Sequence, residues 1–328
     1  MNTNKHINKG TKKIIDFMGQ RKLAAIFSVL LLIGSIVSLS SKGLVLGLDF
    51  TGGTQIEVAY KESVAPEEIR VQLSEVGFNR PVVVHFGAET EILIRLPGDG
   101  SVQSIAEKLA TPTNEKPTTS QQVEWALELG GKDVEIRRVD YVGPQVGEEL
   151  REDGGLGMLT ALAVVMLYVA IRFQYKFSLG AVAALAHDVI ITLGFFSVSG
   201  LEFDLTVLAA VLAVVGYSLN DTIVVSDRIR ENFRLLRVAD ATAVVNESLT
   251  QTLGRTLITS ITTLLVLLAL FLFGGELIHN FAIALIVGVF IGTYSSIYVA
   301  ANMLLSLGMT REDLLPPEKE GEEFDGLP

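Results

Sequence analysis

Six long apolar runs divide the chain, separated by polar segments of very unequal length. Residues 23–41, LAAIFSVLLLIGSIVSLSS, hold no charge in 19 residues, close to the roughly 20 apolar residues that cross about 30 Å of hydrocarbon. Five further runs of spanning character follow at 155–171, 178–199, 205–226, 256–273 and 281–307. The stretch between the first two runs, 43–153, has a different pattern. Apolar and polar residues alternate at 54–60, 81–86, 91–96 and 134–143, which predicts strands. Helical spacing occupies 66–78 and 101–110, with a continuation at 119–129. The order β-α-β-β-α-β is that of a ferredoxin-like domain. Residues 111–120, TPTNEKPTTS, have loop composition. Residues 235–254 are amphipathic at helical spacing and predict a connector helix along the membrane interface. The predicted fold class is a polytopic α-helical membrane protein with six transmembrane helices and one external α+β domain.

Charge orients this arrangement. Residues 1–22 contain Lys5, Lys9, Lys12, Lys13, Arg21 and Lys22 against one acid, Asp16. Apart from Lys42 and, in the tail, Arg311 and Lys319, the remaining Lys and Arg outside the external domain cluster at 172–176 and 228–255, whereas the short loops 200–204 and 274–280 have none. By the positive-inside rule both termini lie in the cytoplasm and 43–153 outside it. That external stretch contains 20 Asp and Glu against 10 Lys and Arg. The tail, 309–328, is acidic and rich in Pro and Gly, a composition expected of disorder. At 49% hydrophobic residues the chain is too apolar for a soluble protein. With no cysteine and four histidines it has no thiolate chemistry and few ligands for a metal. No A-x-A-like site follows the first run, whose length suits a span better than a signal peptide. No Walker loop occurs.

The candidate chemistry lies inside the spans. The run 205–234, LTVLAAVLAVVGYSLNDTIVVSDRIRENFR, acquires Ser218, Asn220 and Asp221 before its basic end. A carboxylate at the bilayer centre costs roughly 2.5–3.5 kcal/mol, so Asp221 is the first candidate for a proton or ion relay, with Asn220 and Ser218 as neighbours. The competing reading places Asp221 in reach of interfacial water, about five residues or roughly 7 Å from the basic end. His187-Asp188, near the middle of the third span, is either a second protonation site or a buried polar pair. Arg255 opens the fifth span, and positions 255, 259 and 262 share one face while 256, 259, 260 and 263 share another. Arg255 is expected to pair with Asp221, a contact whose making and breaking could load and release a proton, or else to snorkel to headgroups. Gly288, Gly292, Thr293, Ser295 and Ser296 in the last span suggest close helix packing. Gly216-Tyr217-Ser218 with His187 also evokes an intramembrane serine protease, but G-x-S is a weak motif and leaves the acids without a role.

Several stretches closely resemble the SecF family, membrane subunits of the bacterial Sec protein-export accessory complex. They are GLDFTGGTQIEV (47–58), YVGP (141–144), AHDVIITLG (186–194), VGYSLNDTIVVSDRIRENF (215–233), QTLGRTLITSITT (251–263) and IGTYSSIYVA (291–300). The match is weakest at 100–135 and in the two tails. The resemblance implies a bundle that is half of an RND-type exporter, with SecD supplying the other half. It further implies association with the SecYEG channel, YajC and translocating preproteins, in the bacterial inner membrane with 43–153 periplasmic. The family's proton-pathway acid falls on Asp221 and its fifth-span arginine on Arg255. The implied activity is use of the proton-motive force in preprotein translocation. It is not an enzymatic reaction, and no cofactor, metal or nucleic acid is implied. Asp49, Gly52 and Gly53 of the GLDFTGGT stretch are expected to couple the first span to the external domain, since paired glycines permit tight turning; substrate contact is the alternative. Two other classes stay open: an RND-like exporter of small molecules or lipids, which would need a large apolar pocket in the external domain, and a structural scaffold without its own relay.

Overall fold

The computed structural model describes residues 14–98, 117–131, 133–236 and 240–310. The expected helix at 101–110, the first 13 residues and the tail beyond 310 lie outside the described residues. The chain enters helix α1 (Arg21–Ser41), pairs briefly in β1 (Val45–Leu46) and makes a single turn, α2 (Leu48–Thr51). It then builds the α+β domain from β2 (Gly53–Tyr60), α3 (Pro66–Val76), β3 (Val82–Phe86), β4 (Ala88–Pro97), α4 (Thr119–Glu128) and β5 (Val134–Val142). The sheet order is β3-β4-β2-β5 with antiparallel neighbours, the arrangement expected of a ferredoxin-like unit. In β2 the period is two: Thr54, Ile56, Val58 and Tyr60 are buried and the residues between them are half-buried. The inward set meets Ile69 and Leu73 of α3 and Val123 and Leu127 of α4 in one apolar core. Pro66 opens α3 and Gly77, left-handed at φ 114°, closes it. Thr118 and Gln121 form a capping box at the start of α4. The helix therefore begins at Thr119, as the helical spacing of 119–129 indicates, where loop composition alone extends the loop through Ser120.

From β5 the chain runs into α5 (Pro144–Arg172), then α6 (Tyr175–Ser199), β6 (Glu202–Phe203), α7 (Leu205–Leu235), α8 (Ala241–Phe273) and α9 (His279–Ser306). Among the described residues six helices are long and apolar enough to cross a membrane, and the chain is a multi-pass membrane protein. In α6, α7 and α9, 61%, 50% and 39% of the most apolar window is buried, against 6–17% in the other three, so these three form the centre of the bundle. Small residues permit their approach. A Cβ on Gly288 of α9 would overlap the Val214 side chain of α7, and one on Gly194 of α6 would overlap Ser35 of α1. The Ser38 and Ser197 hydroxyls, 2.8 Å apart, extend the α1–α6 seam. Three helices are longer than their apolar runs: α5 starts before 155, α7 continues past 226, and α8 starts at Ala241. Residues 241–254, expected along the interface, are instead the first turns of α8. Their apolar face, Val244, Val245 and Leu249, packs with Ile229 and Phe233 of α7 and Leu304 of α9. Burial against neighbouring helices replaces the lipid interface that amphipathicity alone suggests.

The α7–α9 contact is a strict steric fit. Gly288→Ala is expected to destabilise the purified chain by about 1–3 kcal/mol. Adding Val214→Ala should recover part of that loss, so the two changes are non-additive. Thermal unfolding of the four-member cycle in detergent checks this.

Candidate functional site

The domain and the bundle meet at a joint organised by the glycine pair. Gly52 and Gly53 have φ of 67° and 145°, a region favouring glycine. A Cβ at Gly52 would press on Pro144 at the start of α5, and one at Gly53 on the Leu96 carbonyl. Beside them β1 and β6 pair in parallel, Val45 with Glu202 and Leu46 with Phe203. Asp49 Oδ2 accepts the Leu205 N–H at 3.1 Å, where the first turn of α7 has free donors and a partial positive charge. Arg95 of β4 reaches across to Glu202 at 2.5 Å, both side chains 16% exposed. Asn280, at the start of α9, donates to the Glu202 carbonyl at 3.1 Å. Asp49, Gly52 and Gly53 are thus together at one joint, and Arg95, Glu202 and Asn280, which sequence patterning did not single out, share it.

Deeper in the bundle two carboxylates are buried. Asp188 of α6 is 0% exposed and Asp221 of α7 is 8% exposed. The Asp188 Oδ1 lies 2.9 Å from His187 Nδ1, and its Oδ2 accepts the hydroxyls of Ser218 at 2.5 Å and Ser295 at 2.6 Å. Asp221 accepts Thr256 Oγ1 at 2.7 Å on Oδ1 and Ser296 Oγ at 2.5 Å on Oδ2. Among the described residues, neither carboxylate forms an ion pair with Lys or Arg. Buried polar groups need hydrogen-bond partners, and these hydroxyls, with His187 on Asp188, are the side-chain partners of the two acids among the described residues.

The last helix supplies the centre of this network. Thr293 Oγ1 and Ser260 Oγ of α8 are 2.7 Å apart, and Tyr294 Oη donates to the Ala24 carbonyl of α1 at 2.7 Å. Ser295 donates to α6 and Ser296 to α7. Four consecutive side chains thus bond four different helices. Steps of about 100° per residue spread them around most of the helix circumference. The stretch Ser296–Ala300 is π-helical, a widened turn frequent at functional sites.

Two expectations are corrected here, for Arg255 and for Asn220. Arg255 is exposed and makes no ion pair with Asp221; its neighbour Thr256 holds that acid. Adjacent residues point about 100° apart, so only one of the two can face Asp221. The face 255, 259 and 262 is exposed, while Thr256 and Ser260 turn inward. Asn220 is also exposed, on the side of α7 away from the network. The protease arrangement does not form: Ser218 donates to Asp188 and His187 sits on that acid's other oxygen, so the carboxylate separates the serine from the imidazole that would have to take its proton. His187 Nε2 is buried without a hydrogen-bond partner among the described residues. Sequence reading missed Thr256, Ser295 and Ser296 as acid partners, taking the two serines for packing residues. The available signal was the unbroken hydroxyl run Thr293-Tyr294-Ser295-Ser296 inside an apolar span, which cannot all face one neighbour.

A six-helix membrane bundle with two buried acids and a ferredoxin-like domain fastened to it defines the class. Comparison with known proteins narrows it. Residues 122–310 match the family of the protein export membrane protein SecD/SecF, C-terminal, and residues 37–64 match the SecD/SecF GG motif. The chain is 50% identical to the protein translocase subunit SecF of Vibrio alginolyticus over 97% of its own length and 98% of that protein. It is 49% identical to SecF of Pseudomonas aeruginosa over 93% and 95%. The crystal structure of SecDF from Thermus thermophilus, a translocon-associated membrane protein, superposes with a TM-score of 0.75 at 37% identity. The match covers 90% of this chain and 39% of that longer one. The chain belongs to the SecF family of protein-export membrane proteins.

The Arg95–Glu202 bridge links domain and bundle from a largely buried position. A double-mutant cycle of Arg95→Ala and Glu202→Ala is expected to give a coupling energy of about 1–3 kcal/mol. Denaturation of the four purified forms measures it; a value near zero would make the bridge incidental.

Proposed function

We propose that the chain, with SecD as the second half of the bundle, uses the proton-motive force to assist preproteins through the SecYEG channel. The observation that carries this reading is Asp221: a buried carboxylate held by two hydroxyls and, among the described residues, by no cation. An ionised group in that position is costly, and a proton removes the cost. A proton crossing the membrane supplies about 2.3 kcal/mol per 100 mV, which shifts a two-state packing roughly fiftyfold. Asp221 is the loading site and Asp188, with His187 and Ser218, the second acid of the relay.

The exposed polar face of α8, Arg255 with Thr259 and Thr262, and Asn220 on α7 would be poorly placed against lipid. This favours coverage by the partner half, where Arg255 would serve the relay from the shared interface. Movement of α7 is passed to the domain through the Asp49 and Glu202 contacts at its N-terminal end. In this reading the chain lies in the bacterial inner membrane with both termini cytoplasmic and the domain periplasmic. It catalyses no covalent step, uses no cofactor, and YajC joins the same assembly. The test is preprotein export in cells carrying Asp221→Asn, with expression and SecD association followed in parallel. Export is expected to drop to that of cells lacking the protein while the complex still assembles. Normal export would make Asp221 a packing residue and the chain a scaffold.

A further inference from the structure

Each serine of the pair Ser295-Ser296 has one hydrogen and two acceptors. Ser295 Oγ is 2.6 Å from Asp188 Oδ2 and 3.1 Å from the Gly292 carbonyl. Ser296 Oγ is 2.5 Å from Asp221 Oδ2 and 3.0 Å from the Thr293 carbonyl. A hydroxyl cannot donate to both at once. Facing an ionised acid, it donates to the carboxylate. Facing a protonated acid, it accepts the carboxyl O–H and turns its own hydrogen back to the carbonyl three residues earlier. Among the described residues, the other hydroxyls on these acids, Ser218 and Thr256, have one acceptor each. The two-way geometry is in this respect a feature of the α9 serines.

We propose that Ser295 and Ser296 are hydrogen-bond switches through which the last helix reads the protonation states of Asp188 and Asp221. The two serines are adjacent, and the second opens the π-helical stretch. Reversal at either one changes which backbone carbonyls at 292 and 293 are engaged, at the place where the helical hydrogen-bond ladder already shifts register. Two acids on two helices are thereby reported by a single helix, and each can change charge without leaving a donor stranded. The serines are positioning residues: they act on the acids and on the helix, not on substrate. The titratable groups around the pair, besides the two acids, are His187, bonded to Asp188, the adjacent Tyr294, whose ring centroid is 6.2 Å from that of His187, and Tyr217, linked through Ser260 to Thr293. No charged group of α1 or α8 is bonded to either acid among the described residues, Arg255 being turned outward.

The inference rests on the reading of Asp221 and Asp188 as protonating groups, but its test reads the helix rather than export. The full chain in complex with SecD is placed in lipid nanodiscs, and amide hydrogen exchange is followed at 293–300, corrected for intrinsic rates. Asp221→Asn and Asp188→Asn stand in for the neutral acids. Each is expected to change exchange in this segment by about fivefold, the equivalent of one hydrogen bond. Ser296→Ala should abolish the response to Asp221→Asn and preserve the response to Asp188→Asn. Ser295→Ala should do the reverse. Ser296→Thr, which keeps the hydroxyl, should retain both, and the surviving response in each alanine variant shows that the bundle is folded. An Asp221→Asn response that is the same with and without Ser296, or no response to either Asn variant, overturns the proposal. If export is normal in Asp221→Asn while the exchange responses appear as expected, the switch stands and the proton-driven reading falls.

Discussion

A carboxylate buried among helices must be solvated by the protein itself. In this molecule that is done with hydroxyls. Asp188 and Asp221 sit on neighbouring central helices, and the donors that reach them come from α7, α8 and α9. Hydrogen bonds to charged acceptors are stronger than neutral ones and more costly to leave unmade. The network therefore constrains the rotation and depth of every helix it touches. Close approach through Gly288 and Gly292 is its steric counterpart, because short serine side chains reach an acid only where the helix backbones nearly meet.

The same constraint explains why the α+β domain is fastened where it is. The joint lies at the N-terminal ends of α7 and α9, the two helices that contribute Asp221 and the paired serines. Asp49 occupies the first free donor of α7, and Glu202 is held by Arg95 through its carboxylate and by Asn280 through its carbonyl. Displacement of either helix along its axis would be felt by the sheet through β4 and β2. The glycine pair allows this tight junction: any side chain there would separate β2 from β4 and from the start of α5.

The polar face left outside the bundle is equally informative. The sequence offers two overlapping polar stripes on α8, and the inward one, Thr256 and Ser260, is consumed by this chain's own contacts. The outward one, containing Arg255, faces away from the bundle, its Thr259 and Thr262 hydroxyls donating to backbone carbonyls of their own helix. A single helix thus presents one polar face inward and another outward, which its hydroxyl-rich composition makes possible and its 3.6-residue period separates.

Local patterning determined the spans, the strand order and the identity of the acids, because burial in lipid and alternation across a sheet leave periods that one segment displays by itself. The glycine pair and the motif resemblances were equally local. Which neighbours face each acid was not legible. Thr256 rather than Arg255 meets Asp221 because of helix rotation, a quantity set by packing against α7 and α9. Ser295 and Ser296 lie more than 70 residues from the acids they hold, and in isolation they look like ordinary small packing residues. The full lengths of α5, α7 and α8 depended on tertiary contacts as well, since their extensions are mixed or polar in composition and are held by packing: Gly147 against the Gly52 backbone, and Ile229 and Phe233 against Val244, Val245 and Leu249. Sequence decides which groups must be buried; only the assembled helices decide which partners answer them, because that depends on orientation and distance between segments far apart in the chain.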